Sequence, residues 1–408
     1  MQRLRKLAMT APLSMLCGMA AAAPQAPLPV DGPGPASRGV LMILSAFGNA
    51  YAPISQYVDS NRRLAEEALK LLAAVTTPAA LMAAPQGISV PCPSSGSMLA
   101  KLPRTGPRVL DLTWSGCATA QQFATIIYDG KGQLGLSGNT FTPAALFLIR
   151  LGTSTQDFTI TDTYTDSPGF VFQQAYNLRV VGSVPMKRFL NSPYGIFEGD
   201  LNIILNGVIV STNTLPLGDP GSPPYVSRET DTIENYVASG STWHTDDGWV
   251  LHQTLTVLNG KSGATTRDSN QNFTDWGGFS WEGLRVTWDI DERTGASTQT
   301  VDGRLIRRQA PYVNGTCGDG LYKFRTLEPI RQPNMFRYYS RDAGKVVLND
   351  GALVTFSAVA SATEPSWYTP QPGELATHIN VAMRNGQTFS HDSYFPGDSL
   401  QAFQSCTP

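Results

Sequence analysis

Four histidines, His244, His252, His378 and His391, are the first residues of this 408-residue chain that could carry acid–base or metal chemistry. None stands in a His-Glu-x-x-His or His-x-His spacing, the arrangements that put two imidazoles on one metal. His244 and His252 flank the Asp246-Asp247-Gly248 turn and could approach each other across a hairpin, with Asp246 completing a small site. The plainer expectation is two polar side chains on a wet sheet face. Asp268-Ser269-Asn270-Gln271-Asn272 alternates oxygen side chains as a calcium loop does. Phe273 and Phe279 occupy the places of its sixth-position glycine and twelfth-position acid, so an Asx-rich turn fits better.

Covalent and acid catalysis find little more. Asp289, Asp291 and Glu292 could supply the paired carboxylates of glycoside cleavage, but their spacing reads as a strand end followed by a polar turn. The G-x-S-x-G elbow is missing, and Gly278-Phe279-Ser280-Trp281-Glu282-Gly283 is one residue too long for it. A Ser-His-Asp triad drawn from distant loops stays open. Gly130-Lys131-Gly132-Gln133-Leu134-Gly135 matches a dinucleotide string, yet Leu136 to Thr140 makes a poor helix start, so a glycine-rich hairpin is expected. No metal and no cofactor is expected.

A charge pattern is more informative. Residues 228–302 hold 12 acidic and 5 basic residues, whereas 304–345 hold 9 basic and 3 acidic. In the basic stretch Lys323 and Arg325 alternate with Tyr322 and Phe324, and Arg337 and Arg341 with Phe336 and Tyr338. Lys323, Arg325, Arg337, Tyr338 and Arg341 are therefore the candidate ligand-binding set. On neighbouring strands they would make a cationic, tyrosine-edged surface suited to the phosphates or carboxylates of an envelope glycolipid or polysaccharide. The competing expectation is solvated faces paired with the acidic stretch.

The elements that would position these residues are mostly strands. Asn-Gly or Asp-Gly pairs recur along the chain, among them those at Asp129, Asn206, Asp247, Asn259, Asp302, Asn314, Asp319, Asp350 and Asn385. Such pairs suit the positive φ of type I′ hairpin turns. Phe197 to Val210 reads as a hairpin turning at Asn206-Gly207. Trp249, Leu251, Leu255 and Val257 oppose His252, Thr254 and Thr256, and Leu284 to Ile290 alternates likewise, as antiparallel sheet with one buried face does. The fold class expected is mainly β, an antiparallel meander or sandwich-like sheets, with one N-terminal amphipathic helix. The helix is expected over 51–78, from apolar residues at three- and four-residue spacing opposite Arg62, Arg63, Glu66, Glu67 and Lys70. A Pro/Ala/Gly-rich leader over 23–50 precedes it. Two β regions, 86–215 and 232–408, flank a Pro/Gly-rich linker or loop at 216–231.

Arg3, Arg5 and Lys6, an apolar stretch from Leu7 to Met19, and Ala20-Ala21-Ala22 form the tripartite pattern of a signal peptide, with cleavage expected after Ala22. The alternative, lipidation of Cys17, suffers from the bulky Met15-Leu16 before it. Cys92, Cys117, Cys317 and Cys406 then remain, and an even count in an exported chain points to two disulfides. Local pairing, Cys92–Cys117 and Cys317–Cys406, is preferred among three connectivities. Loss of the signal leaves 27 basic and 32 acidic residues, a balance that argues against nucleic-acid binding. No apolar run reaches the roughly 20 residues of a membrane-spanning helix.

Cys92-Pro93-Ser94-Ser95-Gly96-Ser97 followed by Cys117 and Asp129-Gly130, and Tyr322 to Ile330 followed by a terminal β stretch, resemble a loose group of uncharacterised exported β-rich proteins and lipoproteins of Gram-negative bacteria. The resemblance implies an elongated β-meander in the periplasm or at the cell surface, and brings no activity or catalytic residues. The function expected is a non-enzymatic envelope protein binding a lipid, glycan or envelope partner. The alternative is a secreted hydrolase acting on a polymer through loop-assembled acids and histidines.

Overall fold

The computed structural model describes residues 26–400, apart from 106–107, 137–140, 142–145, 166, 168, 184–198, 218–221, 309–319, 336–339, 350, 363–367 and 371–372. The expected signal peptide, Cys17, the Cys317–Cys406 bond, Arg337 and Tyr338 lie outside the described residues. The chain is mainly antiparallel β-sheet. Two helices come first, α1 (Pro33–Ala73) and α2 (Pro78–Ala83). The strands of the first half are β1 (Ile88–Pro91), β2 (Ser95–Lys101), β3 (Val109–Ala120), β4 (Ala124–Leu136), β5 (Leu146–Leu151), β6 (Phe158–Tyr164), β7 (Val171–Ser183) and β8 (Gly199–Leu215). Those of the second half are β9 (Tyr225–His244), β10 (Val250–Asp268), β11 (Phe273–Asp291), β12 (Ser297–Arg308), β13 (Gly320–Gln332), β14 (Ala343–Leu348), β15 (Ala352–Val359), β16 (Ala376–Ala382) and β17 (Thr388–Ser393), before the short α3 (Pro396–Ser399).

All 17 strands belong to one sheet. It is a meander: strands pair antiparallel with their neighbours in the chain, except that β5 and β6 both lie between β4 and β7. The Pro/Gly-rich stretch after Leu215 does not divide the sheet. β8 and β9 pair from Gly199↔Thr242 to Leu215↔Tyr225, so residues 216–224 only close a long hairpin.

The Asn-Gly and Asp-Gly pairs do two different jobs. Asp247-Gly248 and Asn385-Gly386 lie between consecutive strands, as expected. Asp129-Gly130, Asn206-Gly207, Asn259-Gly260 and Asp302-Gly303 lie inside β4, β8, β10 and β12, where the pairing slips register. The described part of the expected hairpin, from Gly199 to Val210, is thus one run of β8, with Asn206 facing a bulge of β9 at Glu234 and Asn235. Positive φ serves a β-bulge as well as a turn, and a bulge bends its strand and strengthens its twist. At Gly303, with φ 110°, a Cβ would meet the Gly283 carbonyl oxygen at 2.1 Å. The GxGxxG string likewise lies wholly within β4 and is not a hairpin.

The helix begins at Pro33 rather than near residue 51, and its 41 residues extend about 60 Å. Arg38 is the only charged residue between 33 and 55. With almost no charge the segment shows little polar contrast in sequence, although the structure buries one face of it and leaves Gly48 and Ala52 exposed. Ala36, Val40, Ile43, Ala46, Ala50 and Ile54 are fully buried, as are Leu64, Ala68 and Leu72 further on. Gly39 presses on β14: a Cβ there would lie 2.0 Å from Leu348 Cδ2. Phe47 meets Trp288 on β11, and the Tyr236 hydroxyl of β9 donates to the Ala50 carbonyl at 2.5 Å. Leu64 sits beside Gly132 of β4, and the buried Glu67 accepts from Thr119 of β3 at 2.8 Å. One helix therefore touches strands near both ends of the meander, and the concave face is filled by protein. Cys92 and Cys117 are bonded, with Cα atoms 5.4 Å apart, tying the turn between β1 and β2 to β3.

Candidate functional site

α1 packs against β11, whose Trp281, Leu284 and Val286 are buried and whose Trp288 meets Phe47. Beside Trp288 a hollow of about 410 Å³ opens between the helix and β11–β13. Leu44 and Phe47 from α1, Trp288, Ile330 and Met335 form its apolar wall. Phe47 meets Trp288 edge-on, with centroids 4.9 Å apart, and lies on Tyr51 at 5.1 Å. Strand alternation puts Trp288 and Ile330 inward, because a period of two keeps every second residue on the core side.

The polar groups of this hollow are few and specific. Ser297, Gln299 and Gln332 line it from β12 and β13, and Arg341 enters from the loop before β14. Burial pulls the Arg341 guanidinium below the usual arginine range, to about 10, so it stays charged at neutral pH. The Gln299 side-chain nitrogen is enclosed and has no hydrogen-bond partner among the described residues. One place along the same inward row, on the far side of Trp288, Gln253 is 1% exposed, and both of its amide atoms are also without partners. Buried polar groups are rarely left unmatched, so an interior amide row of this kind marks a place for a bound polar group or water. An apolar, aromatic wall with a few converging polar groups is the usual composition of a small-molecule site.

Of the candidate set from the sequence, the described Lys323, Arg325 and Arg341 do not share one face. Lys323 and Arg325 are exposed on the outer face of β13, opposite Arg304 and Asp302 on β12. Their surroundings are mixed in sign. Arg304 lies 3.6 Å from Glu282, Lys345 2.6 Å from Glu328, and Arg331 makes two 2.8 Å bonds to Asp342. Arg341 faces the helix instead, on the other side of the sheet. Alternation could not place it, because it stands in a loop and not on a strand.

His244 and His252 do not approach each other. They project to opposite faces, His244 to within 3.3 Å of Glu292 and His252 to within 2.7 Å of Asp289. Asp268 accepts from the backbone N–H groups of Asn270 and Asn272 and from the Asn272 amide. The Asn272 side chain leads the contacts that hold its carboxyl below the usual range. That geometry is an Asx turn. Among the described residues no three His, Cys, Asp or Glu side chains gather as metal ligands. Comparison of the chain with protein-family models, with curated proteins and with solved structures finds no match.

Proposed function

We propose that this is an exported cell-envelope protein that binds an amphipathic anion, a carboxylate or phosphate head on an apolar body, in the hollow between α1 and β11–β13. The observation that carries the reading is Arg341, a desolvated cation facing Phe47 and Trp288, with the unmatched Gln299 amide nitrogen in the same wall. A head group would receive charge-assisted hydrogen bonds, which gain strength where water is excluded. The apolar body would lie along Leu44, Ile330 and Met335. Because α1 fills the concave face, the ligand occupies this hollow alone and not a bilayer-sized groove. The acidic head of an envelope lipid or glycolipid has this chemistry. The disulfide and the N-terminal pattern support export to an oxidising compartment.

The test is calorimetric titration of the purified protein with decanoate and with a short-chain phosphatidic acid. Arg341→Gln is expected to weaken binding roughly tenfold to a hundredfold, the worth of one hydrogen-bonded charge. Equal binding by Arg341→Gln would remove the reading.

A further inference from the structure

We propose that Ser357, His378 and Asp392 form an acyl-transfer site on the outer face of the last three strands, acting on esters carried by an extended polymer. The three residues stand directly opposite one another on β15, β16 and β17. Side chains so placed have Cβ atoms about 5 Å apart. His378 Nδ1 lies 2.5 Å from the Asp392 carboxylate. A carboxylate on Nδ1 keeps the imidazole proton there and leaves the Nε2 lone pair to act as base. Asp392 flanks the ring from β17 and the exposed Ser357 hydroxyl from β15, the order acid, imidazole, hydroxyl that nucleophilic catalysis needs. These three residues lie on neighbouring strands rather than distant loops.

The next row along supplies a donor for developing charge. Thr355, Asn380 and Ser390 stand opposite one another there, two residues from the first row. Asn380 Oδ1 accepts from the Ser390 hydroxyl at 3.1 Å, which leaves its N–H₂ group to donate elsewhere. A side-chain amide in that position can donate to the oxyanion of a tetrahedral intermediate.

The chemistry balances without any further reagent. Ser357 Oγ attacks the ester carbonyl carbon and its proton passes to His378 Nε2. Collapse breaks the bond to the leaving alcohol, which takes that proton. Water then attacks the acyl-serine by the same route, releasing a carboxylic acid and restoring Ser357. Ser357 and Asp392 are both exposed and β17 ends the meander, so the face is open and suits an ester displayed on a chain, such as an O-acylated glycan. The second outward His–Asp pair provides the contrast. His252 is bonded to Asp289, but its other neighbour in the row is Trp243, stacked at 4.2 Å, and not a hydroxyl.

The experiment uses p-nitrophenyl acetate on the full mature protein, following p-nitrophenol release and locating the acetyl group by peptide mass mapping. Acetylation of Ser357 and loss of release in Ser357→Ala are expected. His378→Ala should lose roughly 100-fold or more, the lower range for a general base, while His252→Ala stays at the parent rate. Circular dichroism checks that each variant keeps its sheet. No release above buffer, unchanged release from Ser357→Ala, or acetyl groups only on other residues would overturn the proposal. Decanoate binding is read by titration and not by ester cleavage, so failure here and failure of the binding reading are separate results.

Discussion

The Asn206 side-chain oxygen accepts the backbone N–H of Asn235 at 2.7 Å, across the place where β8 and β9 slip register. The same device recurs twice. Asp129 accepts from the Gly116 N–H at 3.0 Å, and Asp302 from the Thr326 N–H at 2.9 Å. A bulge leaves a ladder donor unpaired, and in each case the Asn or Asp before a positive-φ glycine supplies the acceptor. These three bulges let long strands bend around a helix without stranding backbone groups.

Asn206→Ala should therefore destabilise the protein by about 1 kcal/mol, the net worth of one such hydrogen bond. Gly303→Ala should cost more, because the new methyl would meet the Gly283 carbonyl oxygen in a backbone conformation that alanine resists. Urea midpoints of the two variants give the comparison. A Gly303→Ala midpoint equal to that of the parent would show that the bulge tolerates a side chain.

The Cys92–Cys117 bond joins residues 25 apart in sequence, from the turn between β1 and β2 to β3. Its removal in a Cys92→Ser, Cys117→Ser double variant should cost about 2–4 kcal/mol. The urea midpoint with and without reductant measures this. The parent should fall towards the variant on reduction, and the variant should not move.

Thr119 donates to Glu67 where the second half of α1 meets β3, and both side chains are buried. Thr119→Val should leave a buried carboxylate short of a donor and cost about 1–3 kcal/mol. Hydrogen exchange should show the loss first in the C-terminal turns of α1. Uniform exchange along the whole helix would mean that the two halves open together.

Asp231 gives a pH dependence with a definite sign. Burial, with nearby Glu229 adding to it, raises its carboxyl to about 6. A folded-state value above the unfolded one means that the folded chain holds its proton more tightly. The stability this adds is present below the unfolded value, near 4, and is lost as pH rises through about 6. Asp231→Asn should raise the urea midpoint at pH 7.5 and change it little at pH 4. A gain of equal size at both pH values would assign the effect to something other than this carboxyl.

The sequence made the inward alternation of Leu251 to Val257 and of Leu284 to Ile290 legible, because one face of each strand is wet. It hid the start of α1, because the segment before residue 51 carries almost no charged residues to mark its outer face. It also hid the division among the Asn-Gly and Asp-Gly pairs, since a hairpin turn and a bulge make the same demand on φ. Of the candidate site, Arg341 was visible as a cation beside aromatic residues, but its side of the sheet was not. Leu44 and Phe47 could not be joined to it, because that contact depends on where α1 crosses β11. The Ser357–His378–Asp392 row follows from strand register, which no local spacing records.

Native mass spectrometry of the mature protein, prepared without detergent as the parent and as Arg341→Gln, addresses the binding claim most directly. The account predicts a retained acidic, amphipathic mass on the parent that is lost or much reduced in the variant. Parent and variant carrying the same mass, or both emerging bare after decanoate and phosphatidic acid have been added, would contradict it.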